Sequence, residues 1–166
     1  VDADGKTGDG AGIHVEIPKD FFIEKIEVTG HKHDNSEICV GMIFLPRNDY
    51  AAQENCKTIV ESELTKNDFS IYGWRQVPVN PKVLGEKAFQ TMPEIIQVLF
   101  KSNNPELLNK NLERKIYETR RIIENKATQM SLNKFYICSL SSKSIIYKGM
   151  FLAEAISEFF LDLKDD

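Results

Sequence analysis

No apolar run in the 166-residue chain approaches the ~20 residues that a membrane helix needs, which excludes a helix-spanning membrane protein. Cysteine is scarce as well. Three of them, an odd number, do not make a disulfide framework, and the reducing cytoplasm is the expected compartment. Positive charge has no excess: 21 Lys and Arg stand against 25 Asp and Glu, for a net charge of −4. That balance argues against nucleic acid or an anionic membrane as the main partner. Linkers rich in Pro or Ser, internal repeats and low-complexity tracts are all missing. Nothing at the start resembles a signal peptide, because no basic segment and no apolar core open the chain. What is present is ordinary for a globular domain: 42% hydrophobic and 28% charged residues, which excludes wholesale disorder and collagen. The length suits one domain over residues 1–166. The chain opens at Val1 rather than Met, on acids and glycines, and is expected to be processed or internal to something longer.

Periodicity places the elements. Gly5 to Gly12 reads as a loop, and residues 12–17, GIHVEI, alternate as a strand. Pro18 suits the first turn of a helix over 18–26. A polar turn covers 29–37. Residues 38–46, an apolar run stopped by Pro46, predict a strand buried on both faces. Asp49 is placed to cap a helix carrying Ala52, Cys56, Ile59, Val60 and Leu64 at helical spacing. A strand follows over 69–79, an irregular piece over 82–89, and a strand, with helix as the alternative, over 93–101. The longest helix is expected over 104–128, with Leu108, Leu112, Ile116, Arg120 and Ile123 on one stripe. Strands at 134–140 and 144–150 flank a short Ser-rich turn and should pair antiparallel. An amphipathic helix over 151–163 ends the chain. The order predicts an α+β layered sandwich rather than a doubly wound sheet.

Candidate chemistry is sparse. Gly5, Lys6 and Thr7 resemble the end of a phosphate loop, but the Gly required five positions earlier does not exist. Gly8, Gly10 and Gly12 are spaced G-x-G-x-G and lead into a strand, not a helix whose N-terminus could hold phosphate. His31 and His33 with Asp34 lack further zinc ligands, and His14 sits alone, so no metal site is expected. Cys39, Cys56 and Cys138 fall at apolar positions and read as core residues, not nucleophiles. In a strand, Trp74 and Arg75 face opposite sides. Arg120 and Arg121 with Glu118 and Glu124 suit a salt-bridged helix face. No catalytic constellation is complete.

Longer motifs carry more. DADGKTGDGAGIHVEIPKDFF, VGMIFLPRN, IYGWRQVPVN, LGEKA, TMPEIIQV and FYICSLSSKSIIYKGMFLAE occur in order across nearly the whole chain. Together they resemble the N-terminal class-II glutamine amidotransferase domain of the glutamate synthase large-subunit family. The resemblance implies an N-terminal-nucleophile hydrolase fold, an αββα sandwich that is incomplete here. It implies glutamine hydrolysis by an N-terminal cysteine whose α-amino group is the base, with a backbone-plus-Asn oxyanion hole. FMN and an iron–sulfur cluster are implied for the full-length family protein, none in this segment. The implied partners are glutamine, the remainder of the large subunit, and a small subunit or electron donor. The family's CGVGF-like, HRGA, HQRYSTNT and HNGE motifs do not occur in this chain, so no catalytic residue maps onto it. What remains of the site is a pocket-adjacent loop, Thr7, Gly8, Asp9 and Gly10. The expectation is a catalytically incomplete partial domain. The alternative is a non-catalytic binding or structural module that kept the fold.

Overall fold

The computed structural model describes residues 11–31, 37–149 and 156–164. Among these residues six strands and five helices run in the order β1 (Ala11–Glu16), α1 (Lys19–Val28), β2 (Cys39–Leu45), α2 (Tyr50–Lys66), β3 (Phe69–Gln76), α3 (Glu86–Gln90), β4 (Glu94–Ser102), α4 (Asn109–Gln129), β5 (Tyr136–Ser141), β6 (Ser144–Gly149) and α5 (Ile156–Phe159). Single 3₁₀ turns add Pro81–Val83 and Leu161–Lys164.

A four-stranded antiparallel sheet, ordered β3-β4-β2-β5, forms the centre. β2 is inside it, flanked by β4 and β5, and is buried on both faces as its apolar run requires. The alternation along β2 divides two cores. Cys39, Ile43 and Leu45 face α2 and α4, against Val60, Leu64, Ile116 and Ile123. Val40 and Met42 face the other way, against Phe22 and Ile26 of α1 and Ile145 and Tyr147 of β6. On that second side a two-stranded sheet pairs β1 with β6, from Ala11↔Gly149 to Glu16↔Ser144. The layers are thus helix pair, four-stranded sheet, then two-stranded sheet with α1.

Local chemistry explains the helix starts. The Asp49 carboxylate accepts the Ala52 amide at 3.0 Å and caps α2 as expected. Pro18 is the extended residue before α1 rather than part of its first turn. The long helix starts later than the pattern suggests, at Asn109. The Asn104 side chain accepts the Glu106 amide at 3.0 Å, and Asn109 has φ 53, so residues 104–108 turn instead of coiling. Leu108 therefore leaves the stripe and is exposed, while Leu112, Ile116, Thr119, Ile123 and Ala127 are buried. Arg120 sits at the rim, donating to the Ile137 carbonyl at 2.8 Å, and both Arg120 and Arg121 reach Glu124.

Three more expectations change. The 82–89 stretch is not irregular: it holds the Pro81–Val83 turn and α3. The strand at 93–101 is confirmed against its helical alternative, because β4 is central and its six buried residues Ile95 to Phe100 serve both cores. β5 and β6 do not pair with each other. β5 pairs with β2 and β6 with β1, so the chain changes sheet at the Ser-rich turn. Side chains enable the crossing. The Glu113 carboxylate accepts both hydroxyls of Ser141 and Ser142 and the Ser142 amide, and the Ser139 hydroxyl accepts the Ile146 amide at 3.1 Å. The expected helix over 151–163 is described from 156 only. It is one short turn, α5, interrupted at Phe160, which forms a bridge with Val79.

Candidate functional site

A cavity of about 810 Å³ opens where β2 ends and β4 and β5 begin. Its floor is apolar: Phe44 and Leu45 of β2, Ile95 of β4, Leu84, Met92 and Phe159. Its rim carries three cations, Arg47, Lys134 and Lys148. The size falls within the range of small-molecule pockets, and an apolar floor under cations suits a ligand that is part apolar and part anionic.

The rim is held by specific bonds. Gln53, buried on α2, donates its amide to the carbonyls of Pro46 at 2.7 Å and Arg47 at 3.0 Å, fixing the loop that leaves β2. Arg47 donates to the Phe89 carbonyl at 3.2 Å and lies 5.3 Å from the centre of that ring. Lys148 donates to the Tyr136 hydroxyl at 2.8 Å, which is the main reason its ammonium is held above the ordinary lysine value. The one acid in the lining among the described residues, Asp49, already spends an oxygen on capping α2.

The loop residues Thr7, Gly8, Asp9 and Gly10 lie outside the described residues. Gly10 continues into Ala11, whose register partner Gly149 lines the cavity. The cysteines are where the sequence put them. All are free thiols, buried in the cores, and none lines the cavity. Burial pushes Cys56 up to about 11 and Cys138 up to about 12, and raises Cys39 further, beside Glu113 and Glu37. Cys39 and Cys56 pack on one face of the central sheet and Cys138 on the other, so the three cannot converge on one centre. His14 bonds Ser144 at 2.6 Å and His31 bonds Thr29 at 3.2 Å; His33 and Asp34 lie outside the described residues. Among the described residues no three His, Cys, Asp or Glu side chains group as a metal site.

Sequence reasoning missed one cluster. Trp74 and Arg75 do face opposite sides, Trp74 toward α2, where its indole donates to Glu61 at 2.6 Å. Arg75 faces inward and donates to Gln97 and Asp162, and the Tyr147 hydroxyl donates to the same Asp162 carboxylate. A signal existed, since Asp162 is a lone acid in the apolar segment FFLDL.

Comparison with known proteins adds a clear result. The family described as Glutamine amidotransferases class-II matches residues 1–166. The chain is 51% identical, over 166 residues and 100% of its length, to the glutamate synthase [NADPH] large chain of Azospirillum brasilense, covering 11% of that protein. It is 40% identical over 99% of its length to ferredoxin-dependent glutamate synthase 1, chloroplastic/mitochondrial, of Arabidopsis thaliana, covering 10% of it. It is 36% identical over 98% of its length to ferredoxin-dependent glutamate synthase 2 of Synechocystis sp., covering 10% of it. The chain therefore spans about a tenth of the length of the relatives it matches.

Proposed function

Because the chain belongs to the class-II glutamine amidotransferase family, we propose that it is part of the glutaminase domain of a glutamate synthase. The reaction is hydrolysis of the glutamine side-chain amide: water is consumed, glutamate and ammonia are released, and the ammonia serves the reductive amination of 2-oxoglutarate. The observation that carries this reading is the 51% identity sustained along the whole chain to a glutamate synthase large chain. The observed layering, helices on a four-stranded sheet on a smaller sheet, supports an N-terminal-nucleophile hydrolase sandwich of the αββα type, incomplete in this chain.

In this reading the chain is framework and pocket wall. Its cysteines are too buried and too weakly acidic to attack an amide, so the nucleophile is supplied from outside these residues. Thr7, Gly8, Asp9 and Gly10 are proposed as the loop beside the substrate pocket, because they lead into the strand whose partner lines the cavity. The iron–sulfur cluster is assigned to other parts of the polypeptide, since Cys138 is separated from Cys39 and Cys56 by the central sheet, and FMN is proposed to lie there with it, as the family resemblance implies. The partners are then glutamine, the rest of the large subunit, and the small subunit or electron donor. No helix among the described residues is long and apolar enough to cross a membrane, and a cytoplasmic location is proposed with the rest. A second reading, a binding or structural module without chemistry, is favoured by the same buried thiols.

Ammonia release from glutamine separates the two. The 166-residue chain alone should release none above the buffer blank. A longer polypeptide containing it should release ammonia and continue to do so with Cys56→Ala. No release from the longer polypeptide would leave the module reading, and loss of release on replacing a core cysteine in a stably folded protein would overturn the assignment of the nucleophile.

A further inference from the structure

A polar row crosses the inner face of the central sheet. Arg75 on β3 is the register partner of Gln97 on β4, which is the partner of Met42 on β2. Gln97 is fully buried, donates its amide to the Met42 sulfur at 3.8 Å and accepts from Arg75 Nη1 at 2.8 Å. The Arg75 guanidinium also lies 5.1 Å from the ring centre of Phe21 on α1. It is thus oriented by two neighbouring elements, β4 and α1, before any acid is considered.

The acid comes from far away in sequence. Asp162, 87 residues on, receives Arg75 through both oxygens, at 2.9 and 2.6 Å, and accepts the Tyr147 hydroxyl at 3.2 Å. The pair is 13% and 6% exposed. Burial raises the Tyr147 phenol, with the Asp162 carboxylate as the next cause, so the hydroxyl stays a donor. All these donors belong to the sheets and none to the segment that carries Asp162. That segment is otherwise tied to the body by main-chain bonds from Asn80 to the Phe159 carbonyl and from Leu161 to the Pro78 carbonyl, and by the buried rings of Phe159 and Phe160. A two-pronged guanidinium with a hydroxyl beside it is a carboxylate receptor by shape and charge.

We propose that Arg75 and Tyr147, with Gln97 positioning the guanidinium, form a carboxylate-binding site built into the sheets, filled here by Asp162, and that this occupancy latches residues 156–164 in place. The ligand class is a small carboxylate, and the site accepts one from solution once the chain's own is removed. This goes beyond the glutaminase reading and its test does not involve glutamine.

Asp162→Ala deletes the carboxylate but keeps the β-carbon, so formate supplies the missing atoms. The probe is sodium formate against sodium chloride at equal ionic strength, and the readout is hydrogen exchange of the Leu161 amide. Removing one partner of a buried pair leaves the other uncompensated, so exchange in Asp162→Ala should be at least about tenfold faster than in the parent chain. Formate should slow it in a saturable way, chloride should not, and the parent chain should respond to neither. A double variant, Arg75→Met with Asp162→Leu, removes both charges and should fold without any formate response. If Asp162→Ala alone does not fold, formate should restore its circular dichroism where chloride does not. Unchanged exchange in the variant, equal effects of the two salts, a formate response in the double variant, or no refolding in formate would each overturn the proposal.

Discussion

At Gly41 the smallest side chain is a packing requirement. A β-carbon built there would lie 2.6 Å from Leu140 Cδ1 and 2.7 Å from Val98 Cγ1, on neighbouring strands of the helix-side core. Val98 cannot swing away, because its methyl is carried directly on Cβ of a β-branched side chain in a central strand. Gly41→Ala should therefore destabilise the fold by about 1–3 kcal/mol, read as a lower urea midpoint at unchanged slope. The cysteines make a second residue-scale case. With Cys56 at about 11, only on the order of one molecule in a thousand carries its thiolate at pH 8, and burial blocks access as well. Thiol reagents should label the native protein slowly and the urea-unfolded protein at once. Each thiol sits above its ordinary value of 9.0 in the folded state, so the stabilisation it adds is complete below pH 9 and fades as pH climbs through 11 and 12. The urea midpoint should fall between pH 8.5 and pH 10.5 by less in Cys138→Ala than in the parent chain. The apolar settings of these cysteines were legible from ICVGMIF and FYICSL. The clash at Gly41 was not, because it depends on which side chains β4 and β5 bring alongside.

At the scale of elements, α2 and α4 are joined by one acid. Glu63 of α2 is 5% exposed and binds both Lys126 of α4 and Lys66 of its own helix. The hydrogen bond from Lys126 is the largest cause holding its carboxyl below the ordinary value of 4.5. A lowered carboxyl stabilises above that value, and the contribution disappears as pH falls further. Glu63→Gln should lose on the order of 1 kcal/mol near neutral pH, since both lysines are well exposed to solvent, and should show a flatter acid limb in thermal melts from pH 6 to pH 3. Helix identity and most helix faces could be read from spacing. The start of α4 could not, since the Asn104 turn and the left-handed Asn109 compete locally with helix. Nor could the partners of β5 and β6. A three-residue turn suggests a hairpin, whereas Glu113, from a different element, captures the turn and lets the chain cross between sheets.

For the whole molecule, the two-stranded sheet is the exposed element. Among the described residues β1 and β6 pair only with each other, which leaves an outer edge on both, and Ile13 is 42% exposed on β1. Unpaired edges with apolar side chains are templates for another strand. The isolated chain should therefore self-associate with rising concentration in light-scattering chromatography, and Ile13→Lys should reduce it. A monodisperse monomer at all concentrations, with a sharp thermal transition, would contradict this and mark a self-sufficient domain.

By itself the sequence determined the alternating and helical segments, the buried place of the three cysteines and, through long ordered motifs, the family. These properties are local or additive: periodicity sets which face is apolar, and motifs are read residue by residue. Only the tertiary structure decided which strands share a sheet, that a cation-rimmed cavity lies at the end of β2, and that Arg75 meets Asp162. Each of those joins residues tens of positions apart, and a pairing across that distance depends on how layers stack, which no window along the chain contains.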